Sequence, residues 1–264
     1  MNVALPTGLG LPAATGREIV AFVLVLGRVG PLLVLAPILS APFIPARAKF
    51  IVAAAFAAAL TPIAAAHQAV PVDPLPFLLT LAKELAVGLA FAVALAVVTA
   101  AVSAGAALLD TTVGFSYGAL IDPVTGNNNG ILGQVYGIFA ALVLLVSGGL
   151  RFMLMGLSRS YDLVPLGRVP SFNSLARLAL DGLTQIPVIG IELVGPVLLA
   201  TLVAEGTFGL LARTVPRMNV FVVSMPLKIL LAFAVIGVSL PLVGLSVEQQ
   251  FAANLSHALN AFRG

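Results

Sequence analysis

Apolar residues in this chain come in long runs, with little of the alternation that would mark strands. Residues 19–40, 50–72, 85–109, 131–150, 193–212 and 229–247 are six such runs, interrupted only by Arg28 in the first and Glu205 in the fifth. A helix of about 20 apolar residues crosses the hydrocarbon core of a bilayer. The pattern therefore predicts an all-α, membrane-associated protein with about six apolar segments. Pro31 and Pro37 interrupt the first, Pro62 the second, Pro196 the fifth and Pro241 the sixth. Proline removes a backbone donor and kinks a helix, and inside hydrocarbon the freed carbonyls need protein neighbours. A bundle of broken helices buried among neighbours is the expectation.

The most polar stretch, residues 151–187, predicts a connection containing an amphipathic helix. Ser171 would cap it, with Phe172, Leu175, Ala176, Ala179, Leu183 and Ile186 on one face and Asn173, Arg177, Asp181 and Gln185 on another. Such a helix either binds a partner or a membrane surface, or lies on its own bundle. Orientation does not follow from charge. Arg47, Lys49, Arg213, Arg217 and Lys228 fall on one side, and Arg17, Lys83, Arg151, Arg159, Arg168, Arg177 and Arg263 on the other, too even a division for the positive-inside rule.

Composition sharpens the class. Of 264 residues 60% are hydrophobic and 9% charged, against roughly 25% charged in soluble domains. The absence of cysteine excludes disulfides and thiolate metal sites. His67 and His257 lack carboxylates at ligand spacing, no glycine-rich phosphate loop is present, and the serines have no elbow motif or nearby base. The basic residues are dispersed, which argues against nucleic acid. The expectation is a non-enzyme with no catalytic, cofactor or metal residues. Arg28 and Glu205 remain to be explained, because a charge at the centre of a spanning helix costs about 2.5–3.5 kcal/mol on insertion scales. They mark either an ion or proton pathway or paired charges that hold helices in register within or between subunits. The second is favoured, with Arg28 or Lys228 as partner for Glu205.

Gly133 and Gly137 form a small-xxx-small pair that permits close helix approach. Residues 105–123 break the apolar pattern with Gly105, Asp110, Thr111, Thr112, Gly114, Ser116, Tyr117, Gly118 and Asp122, and predict either a re-entrant loop or a plain connection. Residues 126–130 read GNNNG, a turn-rich run.

Residues 213–228, RTVPRMNVFVVSMPLK, closely resemble the signature of the flagellar biosynthesis protein FliR family and its counterparts in virulence type III secretion. Other blocks fit in order: Arg28 with Gly30 and Pro31, IPARAK at 44–49, Lys83 and Glu84 with Gly88, residues 105–123 with Gly114 and Asp122-Pro123, Ser160 with Pro165 and Gly167, then Gly206 and Gly209. Two positions depart from the family pattern: Arg217 stands where Gln is frequent, and Gly148-Gly149-Leu150 where Gly-Gly-His is common.

The resemblance implies a single export-gate subunit domain over residues 1–264, with an export-gate fold of kinked helical hairpins, in the bacterial inner membrane within the flagellar basal body. Its partners would be P-type and Q-type subunits, other membrane proteins of the type III export apparatus, membrane lipid, and unfolded protein substrates that pass through the gate. Much of the assembly would sit on the periplasmic side, and energy would come from other components. Residues 105–123 match the family's plug loop, with Gly105, Asp110, Gly114, Phe115, Tyr117, Gly118, Asp122 and Pro123 as gating residues. Assembly and buried charge would rest on Arg28, Glu84, Glu205, Arg213, Pro216, Asn219, Phe221, Pro226 and Lys228. The virulence counterpart is the alternative. A small secondary transporter would need inverted internal similarity, and an intramembrane enzyme a convergent catalytic set; the sequence shows neither.

Overall fold

The computed structural model describes residues 16–36, 45–65, 73–116, 130–215, 217 and 219–263, with Phe172 by its backbone alone. These residues form seven helices: α1 (Gly16–Leu35), α2 (Ala46–Ala65), α3 (Pro74–Val113), α4 (Ile131–Val146), α5 (Gly149–Leu163), α6 (Phe172–Thr214) and α7 (Val220–Ala261). Five are long and apolar enough to cross a membrane, and α4 with α5 makes a broken sixth. The all-α expectation with about six apolar segments holds. At 40, 43 and 42 residues, α3, α6 and α7 are about twice the length that a bilayer core requires.

Continuity exceeds what the sequence suggests. Pro31, Pro62, Pro196 and Pro241, expected as breaks, all lie inside helices, as do Pro187 and Pro226; Pro37 lies outside the described residues. The apolar run is interrupted instead at glycine. Gly148, between α4 and α5, has a left-handed φ of 80°, which only a residue without a Cβ adopts at little cost.

Residues 105–113, expected as the first half of a loop, are the last turns of α3. Their polar side chains do not break the helix because they bond within it: the Thr111 and Thr112 hydroxyls donate to the Leu108 carbonyl at 2.7 and 3.0 Å. Gly105 is helical and closely packed. Tyr117, Gly118, Asp122, Pro123 and most of the GNNNG run lie outside the described residues.

Ser171 does cap a helix, its hydroxyl oxygen accepting from the Ser174 N–H at 3.1 Å. That helix is the 43-residue α6, however, and its buried side passes through Leu178, Ile189, Leu193 and Val197, while Leu183 of the expected apolar face is 61% exposed. Lys83, Arg151, Arg159, Arg177, Arg213 and Lys228 also lie within helices. The positive-inside rule counts loop charges, and the loops here hold few.

Two compact units emerge, residues 1–96, 148–182 and 252–264 in the first and 97–147 and 183–251 in the second. In the first, α1 lies against α2, and α2 against α5. Buried Leu24, Phe91, Met153 and Leu157 belong to its core, and Phe91 meets Phe262 with ring centroids 6.5 Å apart. Gly156 leaves room for Phe91 and Leu255, since a Cβ there would come 2.6 Å from the Leu255 Cδ1. The second unit buries Leu109, Leu132, Leu144, Val194 and Val247. Here α3 and α6 cross at Gly105 and Gly190, where a Cβ on Gly105 would overlap the Gly190 carbonyl oxygen. Gly137 has nothing within 4 Å of a built Cβ, so this glycine of the expected small-xxx-small pair makes no close helix contact among the described residues.

Candidate functional site

The first unit is organised around a fully buried cation. Arg28 on α1 and Glu84 on α3 have no solvent exposure, and the Arg28 Nε donates to Glu84 Oε2 at 2.6 Å. Removing two charges from water is repaid only when their remaining donors and acceptors are also satisfied. Here they are. Arg28 Nη1 donates to the Ser160 hydroxyl at 3.2 Å and Nη2 to the Val164 carbonyl at 3.0 Å. The other carboxylate oxygen, Glu84 Oε1, accepts from the Gly167 N–H at 2.9 Å. The guanidinium also stacks on Tyr161, its Cζ 4.0 Å from the ring centroid, adding a cation–π contact.

This joint ties α1, α3, the end of α5 and the turn that follows it. Lys83, beside Glu84, donates to the Gly167 carbonyl at 3.2 Å, so consecutive residues of α3 grip both polar groups of one peptide residue. Gly167 needs to be glycine, because its φ is 80°. A second glycine requirement is one of space: a Cβ on Gly88 of α3 would overlap the Arg28 carbonyl oxygen. Arg28, the Lys83-Glu84-Gly88 block and the Ser160-to-Gly167 block, far apart in sequence, thus meet at one place. Among the described residues nothing lies within 4 Å of a Cβ built on Gly30, which takes no part in this joint.

In the second unit, Asp110 near the end of α3 is 3% exposed and bridges to the start of α4. Its Oδ1 accepts from the Leu132 N–H at 3.0 Å and its Oδ2 from the Gly133 N–H at 3.1 Å. The first N–H groups of a helix have no intrahelical partner, and a carboxylate there also meets the positive end of the helix dipole. Gly130 provides no side-chain cap, and a Cβ on it would overlap the Asp110 carboxylate. Asp110→Ala should therefore lower stability by roughly 1 kcal/mol, within the usual range for a lost cap, read as a downward shift of the unfolding midpoint in detergent; an unchanged midpoint would mean that the cap contributes nothing. Beyond the helix end, Gly114 has a φ of 108° and the Phe115 ring meets Phe233 edge-on, centroids 6.2 Å apart.

Glu205 on α6 pairs with Lys228 on α7, Oε1 to Nζ 2.7 Å. Of the two partners expected for Glu205, the structure realises Lys228, while Arg28 is held by Glu84. Within the single chain the Glu205 side chain is 41% exposed and that of Lys228 17%. Arg213, Asn219, Phe221 and Pro226 are exposed around the same helix ends, and Pro216 lies outside the described residues.

The sequence marks Arg28 and Glu84 as candidates without marking them as each other's partners, and it does not single out Tyr161, Ser160, Lys83 or Gly167 as site residues. The available signal was a lone buried arginine, which demands a carboxylate and several acceptors. Separations of 56, 132 and 136 residues hid which ones. Among the described residues, no group of three or more His, Asp or Glu side chains is placed to hold a metal ion. The pairs at Arg28, Asp110 and Glu205 each hold one helix to another.

A model of the family described as bacterial export proteins, family 1, matches residues 19–253. The chain is similar to the surface presentation of antigens protein SpaR of Shigella sonnei, 31% identical over 180 residues, covering 68% of this chain and 70% of that one. It is similar to the flagellar biosynthetic protein FliR of Escherichia coli (strain K12), 27% identical over 225 residues, 85% of each chain. The flagellar biosynthetic protein FliR of Bacillus subtilis (strain 168) is 26% identical over 187 residues, 70% of this chain and 72% of that one.

Proposed function

This chain belongs to the bacterial export proteins, family 1, and on that premise we propose how it serves as a subunit of a type III protein export gate. It is a helical membrane protein of the export apparatus. In our reading it sits in the inner membrane, with much of the assembly on the periplasmic side. One copy joins P-type and Q-type subunits and closes the channel through which unfolded proteins leave. The role is structural and involves no catalysis by this chain. The observation that carries the reading is the family match across residues 19–253. Two rigid joints, at Arg28–Glu84 and at Asp110, support it by fixing helices as a gate wall requires.

The flagellar system is the first assignment, supported by similarity across 85% of both chains to the Escherichia coli protein FliR. A virulence system is the second, supported by the 31% identity to SpaR. The plug reading keeps Gly114 and Phe115 and the residues after them, while Gly105 and Asp110 become its anchorage in α3. Removing residues 117–122 from an assembled gate should raise ion leak across the membrane. An assembled gate with no added leak would make this segment a connector only.

Assembly is the test of the whole reading. Co-expression with the P-type and Q-type subunits should give one detergent-stable particle holding a single copy of this chain, as weighed by native mass spectrometry. A discrete homo-oligomer without mixed particles would overturn it.

A further inference from the structure

The start of α1 and the end of α2, both in the first unit, flank a groove of about 430 Å³. Glu18 and Phe22 line one side, and Ala58, Thr61, Pro62 and Ala65 the other. Each set is spaced by three or four residues and so shares one helix face. Both helices have 20 residues, just the length of a bilayer's hydrocarbon core. Glu18, the third residue of α1, and Ala65, the last of α2, therefore mark the level where hydrocarbon gives way to headgroups.

The groove is chemically one-sided. Pro62 has no N–H, so the Ala58 carbonyl lacks the donor that an uninterrupted helix would supply. The Thr61 hydroxyl donates to the Ala57 carbonyl at 2.7 Å, which leaves its oxygen to accept. Glu18 adds a carboxylate, and Phe22 an aromatic ring of the kind that attracts cations. The negative end of the α2 dipole also lies here, and no basic residue stands in the last turn of that helix. Every side chain lining the groove is thus apolar or an acceptor, which suits a cation that donates hydrogen bonds.

A lysine side chain and a lipid headgroup can both bring an ammonium. The headgroup already lies at this level, with acyl chains to cover Phe22 and Ala65. Its phosphate would meet the N-terminal N–H groups of α1, the positive end of that helix. We propose that the groove binds a phosphatidylethanolamine lipid, its primary ammonium held by Glu18, the Thr61 hydroxyl oxygen and the Ala58 carbonyl. The site lies within this chain and needs no other gate subunit.

Native mass spectrometry of the full chain, purified in detergent, stripped of lipid and titrated with single phospholipids, tests the site. One phosphatidylethanolamine should bind about tenfold more tightly than phosphatidylglycerol, which lacks the cation, or phosphatidylcholine, which lacks the N–H donors. Glu18 and Ala58 are exposed, so Glu18→Gln and Ala58→Leu should leave the unfolding midpoint unchanged. The first removes the charge and the second fills the groove, and each should abolish the preference. Pro62→Ala returns a donor to the Ala58 carbonyl and should weaken it in part. Soluble phosphoethanolamine in excess should not displace the lipid; displacement would assign the groove to a free amine and overturn the lipid site. Equal binding of the three lipids by wild type, or a preference undiminished in both Glu18→Gln and Ala58→Leu, would overturn it as well.

Discussion

Arg28→Ala should cost the first unit about 3–5 kcal/mol, since it strands the Glu84 carboxylate without its partner in a dry interior. Total stabilities of about 5–15 kcal/mol leave little after such a loss. The variant should therefore be largely degraded or open to protease at sites that wild type protects. Arg28→Lys keeps the charge but should recover little. An ammonium cannot reach Glu84, Ser160 and the Val164 carbonyl as one planar fork while lying flat on Tyr161. Even Arg28→Leu with Glu84→Leu should stay well below wild type, because the Gly167 N–H and Val164 carbonyl would lose their partners, at about 1–3 kcal/mol for each buried group left unsatisfied. Limited proteolysis in detergent reads all three. Wild-type resistance in Arg28→Lys would show that charge alone, and not the shape of the joint, holds these helices.

The second large effect is expected at Gly105. Gly105→Val would drive a branched side chain into the Gly190 backbone of α6, where backbone cannot rotate aside as a side chain would. Overpacking of this kind costs about 1–3 kcal/mol and sometimes more. Gly137→Ala meets no neighbour within 4 Å among the described residues and should stay within about 0.5 kcal/mol. Unfolding midpoints of the two variants should differ accordingly. Equal midpoints would return Gly105 to a loop.

Gly105 also shows where a sequence stops being legible. Glycine beside polar residues reads as a loop, because local propensity cannot see a second helix 85 positions later that needs the space. The six apolar runs were legible, since hydrocarbon length and side-chain polarity are local properties of the chain. Helix ends were less so: Thr111 and Thr112 look like helix breakers until their hydroxyls turn back to the Leu108 carbonyl. Pro31, Pro62, Pro196 and Pro241 misled in the same direction, suggesting breaks where a helix runs on. That Arg28 needed a partner was readable from its setting. That Glu84 and not Glu205 supplies it was not, because pairing depends on which helices are neighbours. The resemblance blocks placed the right residues in order, but only the fold explains why Ser160 and Gly167 belong with Arg28.

Loss of protein export on removal of this chain is the most direct measurement. Cells deleted for its gene should retain flagellar export substrates in the cytoplasm, with secreted levels at background, and regain secretion when the wild-type chain is supplied. Loss of virulence-system substrates alone would move the chain to that system. Undiminished secretion of both substrate classes by the deletion strain would contradict a gate role altogether.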